Sequence, residues 1–127
     1  MDPQVFHTPN APRPNAFVPQ AVIAGNFVFV AGQIPIDPSS GELVPGGIKA
    51  ETRQVMEYIG AILTEAGLNF DNIVKASLFL TDIQNFAQVN EVYGTYFTGK
   101  FPARETVQVA ALPRNSNVEI SVIAVKP

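Results

Sequence analysis

The sequence predicts an α+β fold, with two helices packed on one face of a mixed β-sheet. Two stretches, residues 48–66 and 86–97, repeat apolar residues at helical spacing, while six shorter stretches read as strands. No third helical stretch remains to cover the second face of the sheet. A homo-oligomer that buries that face is therefore expected.

The 127 residues suffice for one domain with its own core, taken as residues 1–127. Residues 1–21 hold five of the eleven prolines, at 3, 9, 12, 14 and 19. Proline lacks an amide donor, so this segment is expected to run extended, with at most an edge strand. It is either a mobile tail or a piece packed beside a site or a neighbouring subunit. Residues 26–31 form a continuous apolar run that suits a strand covered on both faces, ended by Gly32. The turn Asp37-Pro38-Ser39-Ser40-Gly41-Glu42 makes residues 34–36 and 42–44 the arms of a hairpin. Pro35 would confine its arm to a sheet edge or a bulge.

Gly46 and Gly47 precede the first helix, whose core stripe is Ile48, Val55, Met56, Ile59, Ile62, Leu63 and Ala66. Gly67 is placed to stop it in a left-handed conformation. Residues 74–80 alternate as a strand, with Val74, Ala76, Leu78 and Leu80 on the buried side. Asp82 offers a cap for the second helix. Its apolar face is Phe86, Val89, Val92, Tyr93, Tyr96 and Phe97, and Gly99 ends it. Asn90 lies off that face, either solvated or lining a cleft. Residues 104–111 and 118–125 are the last two strands. Arg104, Thr106 and Gln108 share one face of the first; Val118, Ile120, Val122 and Ala124 share one face of the second, with Glu119 opposite.

Composition excludes several chemistries. A net charge of −3 and a pI near 5.0 offer nucleic acid no clustered cationic surface. The absence of cysteine removes disulfides, thiolate metal sites and a thiol nucleophile. A lone histidine, His7 in the proline-rich segment, argues against a histidine zinc site or a Ser/His/Asp triad. The start of the chain lacks the basic and apolar regions of a signal peptide, and no apolar run reaches the ~20 residues of a membrane span. A cytoplasmic protein is expected.

Two side chains stand out. Arg104, where a turn becomes a strand, can grip a carboxylate through its planar fork, or else form an intrachain ion pair or cover a helix end. Glu119 is a carboxylate between apolar strand neighbours, suited to positioning or deprotonating a water, or to a structural salt bridge. If the last two strands form a hairpin, Glu119 sits near Ala110 or Ala111. Arg104 is then about six residues, or roughly 20 Å, away along the strand. If both serve one small ligand, they come from different subunits.

Ala31-Gly32-Gln33-Ile34-Pro35, Phe101-Pro102-Ala103-Arg104 and the block from Val107 through Leu112-Pro113 to Val118-Glu119-Ile120 resemble the RidA (YjgF/YER057c/UK114) family of enamine/imine deaminases. The likeness runs from about residue 22 to 125. It implies a chorismate-mutase-like fold assembled as a homotrimer, with ligand clefts between subunits. It implies that Arg104 grips the substrate carboxylate and Glu119 places the attacking water. Gly32, Thr106 and Asn90, with the positions of Phe17 and Ala31, line the cleft. The implied reaction hydrolyses 2-aminoacrylate, 2-iminopropanoate or 2-iminobutanoate to 2-keto acids and ammonia, without metal or organic cofactor. A tyrosine common in the family near residues 17–20 is replaced by Phe17 and Val18, and a serine by Ala31. Weakened or shifted activity is expected. A trimer that binds small carboxylates without turnover is the main alternative. An endoribonuclease or translation inhibitor fits the acidic balance less well.

Overall fold

The computed structural model describes residues 3–13 and 15–127; Met1, Asp2 and Pro14, part of the segment expected to run extended, lie outside the described residues. The element order is β1 (Gln4–Phe6), β2 (Ala21–Ala24), β3 (Phe27–Gln33), α1 (Ile48–Glu65), β4 (Ile73–Leu80), α2 (Phe86–Gly94), β5 (Ala103–Gln108) and β6 (Val118–Val125). One six-stranded sheet runs β1-β2-β3-β6-β4-β5. All its pairings are antiparallel except β4 with β5.

Both helices pack on one face, so the α+β expectation holds. Val28, Leu78, Leu80, Val118 and Ile120 of the sheet meet Val55, Met56, Ile59, Ile62 and Leu63 of α1, with Val89 and Tyr93 of α2. Each fully buried aliphatic side chain of this kind contributes roughly 1.5–3 kcal/mol. Gly67, at φ +77°, follows the end of α1 as expected.

Several local expectations are corrected. The last two strands do not form a hairpin. β5 lies parallel to β4 at the sheet edge, and β6 inserts between β3 and β4. The reason is the strand–helix–strand unit β4-α2-β5, whose crossover helix returns the chain in the same direction. Glu119 therefore faces Phe79 rather than Ala110. Residues 34–36 and 42–44 do form the expected hairpin, but in minimal form: one antiparallel bridge, Ile36 with Leu43, and backbone hydrogen bonds from Asp37 N–H to the Glu42 carbonyl at 2.8 Å and from Val44 N–H to the Pro35 carbonyl at 2.9 Å. A strand not expected, β2, pairs with β3 through a tight turn in which Gly25 adopts φ +61°. β3 is covered on one side only, because Phe27 and Phe29 stay 47% and 43% exposed. Val74 points outward and Ile73 inward, because the register shifts between Ile73 and Lys75. The second helix ends at Gly94, short of Gly99.

Gln20 anchors the proline-rich segment. Its buried side-chain amide donates to the carbonyls of Thr8, Ala11 and Pro12 at 3.1, 2.9 and 3.0 Å, and its Oε1 accepts from the Thr8 N–H at 2.6 Å. A stretch short of amide donors cannot build a ladder of its own, so one side chain gathers its carbonyls. The segment is thereby strapped over the ends of β2 and β3.

A second anchor fixes the loop before β6. Glu51, buried in the first turn of α1, accepts from the Asn117 side-chain amide at 3.0 and 3.2 Å and from its backbone N–H at 3.4 Å. Glu51→Ala should destabilise the fold by about 1–3 kcal/mol, since it leaves donors without a partner. Urea midpoints read this, and Glu51→Gln should recover part of the loss.

Candidate functional site

The site is built from two clusters on opposite faces of one sheet. Arg104 pairs with Ala76 across β4–β5, and Ala76 is wholly buried against the helices. The Arg104 side chain therefore lies on the helix side. Its guanidinium carbon stands 4.9 Å above the Tyr93 ring and 5.4 Å above that of Phe86, both on α2. Among the described residues it makes no ion pair. Asn90, Tyr93, Gly94, Phe101 and Pro102 complete a shallow cavity of about 340 Å³ around it. Thr106 follows on the same face, and among the described residues its hydroxyl and that of Tyr93 are buried without a hydrogen-bond partner. Burial pushes the Tyr93 hydroxyl pKa up, with the neighbouring Arg104 charge pulling the other way.

Glu119 pairs with Phe79 across β4–β6, on the face that carries no helix. It stands against β3 where the register shifts between Val30 and Gln33. Gly32 lies in that irregularity. A Cβ at Gly32 would fall 2.6 Å from Glu119 Oε2 and 2.8 Å from its Cδ, so only glycine admits the carboxylate here. Burial pushes the Glu119 carboxyl above the ordinary carboxylate range. A cavity of about 470 Å³ opens beside it, and Val18, Ala31 and Gly32 line it together with Arg13 and Arg114.

The structure thus gathers Glu119, Gly32 and Ala31 in one cluster, and Arg104, Asn90 and Thr106 in another. Within one chain the sheet separates them. The conclusion that one small ligand cannot meet both side chains stands, but for a different reason: opposite faces, not distance along a hairpin. Phe17 belongs to neither cluster. It is 94% exposed at the tip of a turn, and lines an adjoining groove with His7 and Arg13. Val18 occupies the wall of the Glu119 cavity. Arg13 and Arg114 escaped the sequence reading, although Arg114 sits in the connection leading into the Glu119 strand. Among the described residues, no group of three or more histidine, aspartate or glutamate side chains is placed to hold a metal ion, and no helix is long and apolar enough to cross a membrane.

Gly32→Ala tests the contact. The clash falls on the flexible end of Glu119, which can swing away, so stability should change by less than about 1 kcal/mol. Any reaction that uses the Glu119 carboxylate should slow by on the order of 10²-fold, as expected for a group displaced by about an ångström. Thermal melting and turnover, measured on the same preparation, separate the two effects.

Comparison with known proteins adds the following. The family described as Endoribonuclease L-PSP matches residues 8–126. A RutC family protein of Pyrococcus horikoshii is 50% identical over 123 residues, covering 97% of this chain and 98% of the relative. The 2-iminobutanoate/2-iminopropanoate deaminase of Rattus norvegicus is 48% identical over 123 residues, covering 97% and 90%. A crystal structure of YyfA from Yersinia pestis, a protein of unknown function in the conserved Rid protein family, superposes with a TM-score of 0.93 at 46% identity, covering 98% and 99%.

Proposed function

Because the chain belongs to the RidA/YjgF family, whose model is described as Endoribonuclease L-PSP, we propose that it hydrolyses small 2-imino acids, 2-iminopropanoate and 2-iminobutanoate among them, to 2-keto acids and ammonia. The observation that carries this reading is a half-buried carboxylate with a raised pKa held against Gly32, together with an arginine fork that no protein carboxylate occupies. The 48% identity to a deaminase of that name supports it.

In this reading the Arg104 fork takes the substrate carboxylate, since a planar guanidinium matches two carboxylate oxygens. Ionised Glu119 accepts a proton from water as the water oxygen bonds to the imine carbon. The protonated imine thereby becomes a neutral carbinolamine, whose nitrogen takes that proton back from Glu119. Glu119 then accepts the hydroxyl proton as the C–N bond breaks, leaving the 2-keto acid, and passes it to the departing ammonia. An enamine such as 2-aminoacrylate enters by tautomerising to its imine. Imines already hydrolyse in water, so holding substrate and water in register is most of what the protein must supply.

The two clusters meet only if one subunit supplies Arg104 and another Glu119. A homotrimer with its bare sheet faces turned inward is the assembly this reading expects, and it would bury the exposed Phe27, Phe29 and Val107. Sedimentation at equilibrium tests it: a mass at or near the 13.7 kDa of a single chain would remove the shared cleft.

A second reading, a carboxylate-binding trimer without turnover, is favoured by one observation. Val18 and Ala31 bring no hydroxyl to the Glu119 cavity. Following the decay of 2-aminoacrylate, generated by a serine or threonine dehydratase, distinguishes the two. The deaminase reading expects a clear acceleration with this protein; decay at the uncatalysed rate would leave only the binding reading. The ribonuclease that the family's description names has less support here, given an acidic chain and a single histidine.

A further inference from the structure

The Glu119 cavity is cationic at its rim, in a protein whose net charge is −3. Arg13 reaches it from the strapped N-terminal segment, and Arg114 from the connection between β5 and β6. Neither forms an ion pair with a carboxylate among the described residues, Glu119 included.

The backbone at Arg114 departs from what its side chain favours. Arg114 and Asn115 both adopt φ +59°, consecutive left-handed residues without a glycine. Such conformations persist where the surroundings hold them, and they gather at functional sites. Here the turn carries the Arg114 guanidinium across to the Gly41 loop, where one N–H donates to the Gly41 carbonyl at 3.1 Å. That exposed bond is the one hydrogen bond the Arg114 guanidinium makes among the described residues, so its other N–H donors are open to a ligand. A three- or four-carbon imino acid, with its one carboxylate on Arg104, has nothing to offer them and would fill a small part of about 470 Å³.

We propose that Arg13 and Arg114 select 2-imino acids whose side chain ends in a second acidic group, with the α-carboxylate on Arg104 and the distal carboxylate between the two rim arginines. This rests on the deaminase reading for its chemistry but not for its binding preference. The reaction class that supplies such a substrate is oxidation of an acidic amino acid at its α-carbon.

The test uses stable keto acids first. Calorimetric titration of the whole protein should show 2-oxoglutarate binding about tenfold more tightly than 2-oxobutanoate, the size expected for one added charge-assisted contact. The double variant Arg13→Gln/Arg114→Gln should bring that ratio to about one. Arg114→Gly, which removes the charge while relaxing the left-handed backbone, should also lower it, so a fold defect in the glutamine variant cannot imitate the result. Equal affinity for the two ligands in the parent protein, or an unchanged ratio in the double variant, overturns the proposal. Imine decay is then followed with glutamate and 2-aminobutanoate as sources, each oxidised by an amino-acid oxidase. Faster relative clearance of the glutamate imine supports the proposal. Failure to speed either imine, with the binding ratio intact, removes the deaminase reading and leaves the ligand class standing.

Discussion

Glu119→Gln should slow imine hydrolysis by about 10²–10⁴-fold, the usual contribution of a positioned general base, while melting at a higher temperature than the parent at neutral pH. The two effects share one cause. Burial raises the carboxyl pKa above its ordinary value of 4.5 in the folded state. A group raised in this way favours folding fully below its unfolded pKa, and loses that contribution as pH rises through the folded pKa. At neutral pH the ionised carboxylate is therefore a cost, which an amide does not carry. Partial exposure screens it, so the gain should be on the order of 1 kcal/mol or less. It should shrink towards nothing as the melting buffer is acidified below 4.5. The parent's activity, which needs the ionised form, should show an acid limb above that value, and Glu119→Gln should abolish the limb. A variant less stable than the parent at neutral pH would mean that the carboxylate is held by favourable contacts, against the desolvated base required here.

Arg104→Ala should reduce kcat/KM by about 10²–10⁴-fold, because hydrogen bonds to a charged partner are worth ~1.5–3 kcal/mol and a fork makes two of them. Arg104→Lys keeps the charge but loses the fork, and should fall between the parent and the alanine variant. Stability should change little, since a partly exposed cation over aromatic rings contributes about 0.5–1 kcal/mol. Saturation kinetics on 2-iminobutanoate read the loss. Parent-like kcat/KM in the alanine variant would take Arg104 out of substrate binding.

Much of this architecture is legible in the chain because burial writes a strong period. Residues 118–122 alternate apolar with polar before the run turns wholly apolar at 122–125, and β6 spans all eight with Val118, Ile120, Val122 and Ala124 inward. Helix α1 was equally plain from its stripe and Gly67. What the pattern does not carry is who pairs with whom. Residues adjacent in sequence suggested a hairpin for β5 and β6, but α2 makes β5 the parallel neighbour of β4. The signal was present in the strand–helix–strand order. β2 is hard to read for a related reason: it has four residues, and only the Gly25-Asn26 turn marks its pairing with β3. Val74 shows the limit of strict alternation, since one register shift reverses a residue's face.

The candidate site divides in the same way. Arg104 and Glu119 were visible because charge in a strand is conspicuous. Their placement on opposite faces was a matter of pairing, and needed the sheet. Arg13 and Arg114 were invisible because loop arginines are ordinary in sequence; only the fold of the strap and the left-handed turn brings them to one cavity.

The Gln20 anchor has a consequence for how such a protein diversifies. Its amide recognises main-chain carbonyls of the strap, at Thr8, Ala11 and Pro12, and no side chain. Thr8 and Ala11 are buried, but the strap's exposed side chains, Arg13 among them, are therefore free to be exchanged without loosening its attachment. On the proposed reading, substrate preference is then a replaceable facing on a fixed mount: a change at position 13 would alter the ligands accepted while the sheet, the helices and the Gly32–Glu119 contact stay as they are.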